Sequence, residues 1–159
     1  MNSIKVQTEI NASVEDVWRV LSDFGGVQKW APSVTNSYLL SENNSGPEAA
    51  RHCDVAGFGG IQEYVTEWNE GAGFTFRVTG VGPIREANSA WLVESKDGKT
   101  VVSTTVDYAT RFGLLGSALN VIMLRRKLRQ GLAQTHAGLQ QHLLTGETIG
   151  VDFRLPETT

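Results

Sequence analysis

Few residues of this 159-residue chain have the types and spacing to do chemistry, and Glu63 stands out among them. It lies in "GFGGIQEYVTEW", where a glycine cluster runs into a strand pattern and a carboxylate occupies a place usual for Val or Ile. Turned inward, such a group can hydrogen-bond a ligand or move a proton. Turned outward, it is a solvated charge or a partner for Arg51 or Arg85. Alternation does not decide, because Ile61, Glu63, Val65 and Glu67 oppose Gln62, Tyr64, Thr66 and Trp68, and both sets are mixed. Tyr38 and Tyr108 carry hydroxyls that need partners if buried, from the protein or from a ligand. Asn88 offers donor and acceptor to a carbonyl, and Arg85, in a turn, can fold over an opening or stay in water. His52, His136, His142 and Cys53 have none of the spacing of a zinc site, so no metal is expected. There is no G-x-S-x-G element, and "GFGG" is not a phosphate loop.

The elements that must position these groups read clearly. "SIKVQTEI" alternates as a strand, and Ser13 caps a helix with Val14, Val17, Leu21 and Phe24 on one stripe. Gly25 and Gly26 read as its stop, and "VQKWAPSV" reads as a second short helix broken at Pro32. Six strands are expected over 36–41, 51–56, 61–69, 74–79, 87–95 and 100–110, separated by turn signals such as "NNSGP", "NEGAG" and "KDGK". Connections this short favour antiparallel hairpins. A long helical pattern runs from near Leu115 to about Leu144, with Val121, Leu124, Leu128, Leu132, Thr135, Leu139 and Leu143 on one face. Gly131 and Gly138 fall inside it, so packing must hold that helix in place. The expected fold is α+β: a curved, seven-stranded antiparallel sheet around a long C-terminal helix, with two short helices after the first strand. One domain spans 1–146, followed by a tail over 147–159. A bent sheet crossed by a helix leaves an internal space, the usual setting of a ligand site.

Hydrophobic residues make up 40% and charged residues 19%, and the net charge is −3. Nothing here argues for nucleic acid or an anionic membrane as partner. No apolar run approaches the roughly 20 residues of a membrane span, so integral membrane association is not expected. The single cysteine and an N-terminus without a basic, apolar leader fit a cytoplasmic protein.

The element order, together with "VEDVWRVLSDFGGVQKWAP", "IQEYVTEWN" and "GVGPIRE", resembles the START-like helix-grip superfamily, in particular its polyketide cyclase/dehydrase (SRPBCC) branch, over roughly 3–145. The resemblance implies a cavity for a small hydrophobic or polyketide-like molecule, and the lack of phosphate-loop and nucleophile motifs leaves no tightly held cofactor expected. It implies that "VAGFGG" (55–60) is a gate loop, that "GVGPIRE" (80–86) is its latch, and that Glu63 points inward. The cationic anchor of the family's hormone receptors falls at Tyr38, which removes the obvious partner of an acidic ligand. On this reading Trp30, Val55, Phe76, Val78, Leu92, Val106, Leu124 and Leu128 supply apolar walls. Tyr38, Glu63, Arg85, Asn88, Thr104 and Tyr108 orient polar groups. If the protein is an enzyme, a cyclase or dehydratase folding a reactive chain, Glu63 moves the proton and Tyr38 polarises a carbonyl. Carriage of a lipid or quinone is the non-catalytic form. The alternative from another class is a protein-interaction module of the same fold without a functional cavity.

Overall fold

The computed structural model describes residues 1–80, 82–111 and 118–154. Strand β1 (Asn2–Ile10) leads into helix α1 (Val14–Ser22), whose first turn is closed by the Ser13 hydroxyl accepting from the Asp16 amide at 3.1 Å. The second helix differs from expectation. It is a 3-10 turn over Phe24–Lys29, and Gly25 and Gly26 lie within it instead of ending α1. Phe24 and Val27, three residues apart, both bury against the sheet, which suits a three-residue period.

The remaining strands are β2 (Val34–Leu39), β3 (Ala50–Val55), β4 (Gly59–Asn69), β5 (Gly73–Thr79), β6 (Ile84–Lys96) and β7 (Lys99–Thr110). All pair antiparallel in the order β1-β7-β6-β5-β4-β3-β2, a meander closed by β1 returning to β7. Bulges between Val34 and Asn36, Val65 and Glu67, and Ile84 and Glu86 bend the strands and deepen the concave face. One end of that face is filled solidly. Trp18 of α1 meets Trp68 edge-on at 5.2 Å, and Phe24 meets Phe74 at 5.7 Å.

Helix α2 (Ala118–Thr145) crosses the concave face; its expected start at Leu115 lies outside the described residues. Its C-terminal half is seated by His136, Gly138 and Leu139, all buried. A Cβ at Gly138 would stand 2.4 Å from the Trp30 carbonyl oxygen and 2.6 Å from the Pro32 ring, so only glycine lets the two backbones approach this closely. At Gly131 a Cβ would meet nothing within 4 Å. In the N-terminal half Leu119, Ile122 and Met123 are exposed, Leu124 and Leu128 are half-buried against the core, and a space remains between helix and sheet.

Both free edges of the sheet are covered. Arg125 and Arg129, one turn apart on α2, donate from Nη1 to the carbonyls of Ser3 (2.9 Å) and Lys5 (3.4 Å) on β1. On β2, the Ser37 amide donates to Gln28 Oε1 at 2.6 Å. Such cover keeps edge strands from pairing with other chains. The segment after α2 returns to the body, where Ile149 is buried and its amide donates to the Lys29 carbonyl at 2.9 Å. No helix among the described residues is long and apolar enough to cross a membrane.

Candidate functional site

Between the sheet and the N-terminal half of α2 lies a cavity of about 210 Å³, open to solvent on one side. Its walls are mostly aromatic and aliphatic: Trp30, Ile61, Phe76, Val78, Ile84 and Trp91 from the sheet side, Leu128 and Leu132 from the helix. Gly131 also lines it, so the missing side chain there is part of the space. Lys127 and Phe58 stand at the rim, with Nζ 4.7 Å from the centre of the Phe58 ring. This contact joins α2 to the turn between β3 and β4.

Two buried charges interrupt the apolar wall. Arg51 and Glu63 are directly opposed on β3 and β4, and Arg51 Nε donates to Glu63 Oε2 in a buried ion pair. Arg51 is 5% exposed and Glu63 8%. Arg51 Nη1 also donates to the Phe24 carbonyl at 2.7 Å, and the guanidinium lies 3.8 Å from the Phe24 ring centre and 5.3 Å from that of Phe76. Both readings weighed for Glu63 thus hold together: it faces the cavity and it is the partner of Arg51. The Cys53 thiol donates weakly to the same carboxylate at 3.9 Å. Burial, helped by the Glu63 charge, pushes that thiol up to about 12, so it stays protonated and is no nucleophile. Across the wall, Trp91 Nε1 donates to Ser89 Oγ at 3.1 Å, fixing a hydroxyl that keeps its own proton to give.

Beneath the cavity, His136 ties α2 to the sheet. Its ring nitrogens pair with Thr8 Oγ1 of β1 at 2.9 Å and Thr104 Oγ1 of β7 at 2.7 Å, and Trp91 packs on it at 5.3 Å. Burial among neutral groups lowers its pKa to about 4. It is a neutral structural pin.

Of the residues singled out in the sequence, Trp30, Val55, Glu63, Phe76, Val78, Val106 and Leu128 line the cavity. The others do not. Tyr38 is 51% exposed and stacks on His52 at 4.9 Å on the outer face. The bulge at the start of β2 shifts its phase, so Ser37, opposite Cys53, turns inward in its place. Asn88 and Leu92 are also reversed, because β6 turns Ala87, Ser89, Trp91 and Val93 inward. Asn88 faces out opposite Arg77, and Leu92 is 44% exposed. Thr104 does face the helix, but His136 occupies its hydroxyl. Tyr108 is buried in the core and Leu124 half-buried on α2, neither at the cavity wall; Arg85 is exposed beyond it. Within "GVGPIRE", Val81 lies outside the described residues. Ser89 and Trp91 were missed, and Arg51 was named only as one of two possible partners for Glu63. A hairpin centred on Gly57 pairs positions that sum to 114, which would have set Arg51 against Glu63.

A second depression, about 780 Å³, opens at the N-terminal end of α1 between Glu9, Asn11, Ser13, Lys99 and Gln140. Its lining mixes polar and apolar groups, and no buried charged group lines it. Among the described residues no cluster of three or more His, Cys, Asp or Glu could hold a metal ion.

The same architecture recurs in solved structures of low sequence identity. The Zhui aromatase/cyclase from Streptomyces sp. R1128 superposes with a TM-score of 0.75 at 16% identity, over 90% of this chain and 93% of that one. A protein from Thermus thermophilus gives 0.74 at 15% identity, covering 91% and 99%. A START superfamily protein from Mycobacterium smegmatis gives 0.73 at 16% identity, covering 89% and 97%. No curated protein matches the sequence. The family model described as "Polyketide cyclase / dehydrase and lipid transport" matches residues 1–143, nearly the whole domain that folds around the cavity, and the chain belongs to that family.

Proposed function

We propose that this protein binds a small, mostly hydrophobic molecule in the cavity between the sheet and the N-terminal half of α2. The observation that carries the reading is the interior itself: about 210 Å³ left open among aromatic and aliphatic side chains, with a buried ion pair set into its wall. A solidly packed interior would instead have favoured an interaction module. Burial of the ligand against Trp30, Phe76 and Trp91 supplies affinity, and the polar groups orient it. Entry runs past the rim at Phe58 and Lys127, in the turn whose sequence resembles a gate loop.

Carriage or sensing follows more directly from this geometry than catalysis. Glu63 is engaged by Arg51, and Tyr38 lies outside the cavity, so the proton mover and carbonyl polariser of a cyclase are not free to act together. A cyclase would have to work mainly by confining a reactive chain. Native mass spectrometry of freshly purified protein tests the binding reading. A retained small molecule, lost on replacing Gly131 by Trp to fill the cavity, is the expected result. Repeated absence of any bound species, together with no uptake of apolar probes, would overturn it.

A further inference from the structure

We propose that the outward face of the first turns of α2 is a docking surface for an anionic lipid membrane, on which the protein lies peripherally without spanning it. The proposal is independent of the cavity and would hold for a chamber that binds nothing.

The N-terminal half of α2 carries apolar residues on two opposite faces. Leu124, Leu128 and Leu132 follow the spacing that turns toward the sheet, where they pack against the core. Leu119, Ile122, Met123 and Arg126 recur at i, i+3, i+4 and i+7 on the other side, and the three apolar members are 60–65% exposed. A helix cannot turn both faces inward, so the second stripe is left uncovered by this chain. Scattered exposed apolar residues are ordinary, but a contiguous stripe of them marks a contact surface.

Charge says what covers it. α2 holds Arg125, Arg126, Lys127 and Arg129 and no Asp or Glu between Ala118 and Thr145, in a chain whose net charge is −3. The overall sign, which gave no argument for a membrane, conceals this local cationic segment. Among the described residues none of these side chains is paired with a carboxylate. Arg125 and Arg129 donate to the Ser3 and Lys5 carbonyls on one flank, and Lys127 rests on Phe58 on the other. Neutral contacts thus hold the cations beside the stripe with their charge uncancelled. An aliphatic ridge bracketed in this way matches anionic headgroups over a hydrocarbon interior: Leu, Ile and Met enter the acyl boundary, while the long basic side chains reach phosphate. Repulsion of the acidic remainder favours approach with α2 foremost. A second copy is a poorer occupant, because pairing the ridges about a two-fold axis brings like charges together. The stripe also lacks the Tyr and Trp that anchor most protein partners.

The test mixes the full-length protein with vesicles of phosphatidylcholine, alone or with about one-third phosphatidylserine, and reads binding by co-sedimentation. Anionic vesicles should bind at least about tenfold more tightly than neutral ones, and less so as salt rises above about 0.15 M. Ile122→Ser with Met123→Ser should weaken binding by at least about tenfold, and Arg126→Gln by about fivefold. All three positions are exposed, so circular dichroism and the melting temperature should stay the same. Met123→Cys carrying an environment-sensitive dye locates the contact, because Cys53 is buried with its thiol protonated and does not compete for the label. The dye should shift to the blue on anionic vesicles, whereas the same dye on Leu92→Cys, on the outer face of the sheet, should not respond. Absence of vesicle binding, or equal binding to neutral vesicles, would overturn the proposal. Binding that survives the double serine variant, or that leaves the dye at position 123 in water, would overturn it too by placing the contact elsewhere. A concentration-dependent dimer abolished by the same serine variant, with no vesicle binding, would assign the face to a second copy instead.

Discussion

Acidification should loosen this fold through His136, and the size of the effect follows from the geometry. The imidazole is fully buried between Thr8 and Thr104, with no carboxylate against it, and its pKa falls from 6.5 to about 4. In the unfolded chain the ring takes up a proton as the pH drops through 6.5, whereas the native ring stays neutral until about 4. The stability this group contributes is thus complete above 6.5, is lost progressively as the pH falls toward 4, and levels off below. At about 1.4 kcal/mol per tenfold change in proton affinity, the loss amounts to about 3 kcal/mol. That is a large share of the roughly 5–15 kcal/mol that holds a domain together. The assay is urea unfolding of the wild type and of His136→Gln across about pH 7.5 to pH 4. Other groups titrate in both proteins, so the difference between the two curves isolates the ring. The wild type should lose about 3 kcal/mol more than the variant over this interval. Parallel curves, or a ring that titrates near 6.5 by NMR in the folded protein, would refute the reasoning.

Truncating one member of the buried pair should be costly. Arg51→Met leaves Glu63 as an unpaired buried carboxylate and should lower stability by about 3–5 kcal/mol, while adding Glu63→Met should restore most of it, both read from denaturant midpoints. The two glycines of α2 should respond in opposite directions. Gly138→Ala drives a Cβ into the Trp30 carbonyl and the Pro32 ring and should lower the melting temperature by several degrees; a neutral result would mean that the helix can shift without loss. Gly131→Ala meets open space and should gain up to about 1 kcal/mol of helix propensity, at some expense of cavity volume, measurable by thermal melting beside probe binding.

Much of the architecture was legible because short turn signals and strand alternation act locally. The meander from β2 to β7 and the long final helix follow from chain-local patterns, and the family resemblance agrees with them. What failed was phase. A strand's facing flips with a single residue, and the bulge between Val34 and Asn36 is such a residue; it carries Tyr38 to the outer face with nothing in "SVTNSYLL" to announce it. On β6 Leu92 was placed inward for its apolar character and Asn88 through the family resemblance, whereas Ala87 and Ser89 are small and only Trp91 marks the true inner set. Glu63 was ambiguous because its partner is remote in sequence yet opposite in register, and only the hairpin centred on Gly57 reveals the match. The 3-10 turn at Phe24 was hidden for a related reason: two adjacent glycines read as a terminator unless the burial of Phe24 and Val27 is already known.

The double duty of one stretch of α2 has its own consequence. Lys127, Leu128 and Gly131 roof the chamber, while Arg125 and Arg129 from the same turns hold the Ser3 and Lys5 carbonyls of the border strand. The same few helical turns therefore both close the chamber and shield the border strand, so a substitution that displaces them should disturb the two together.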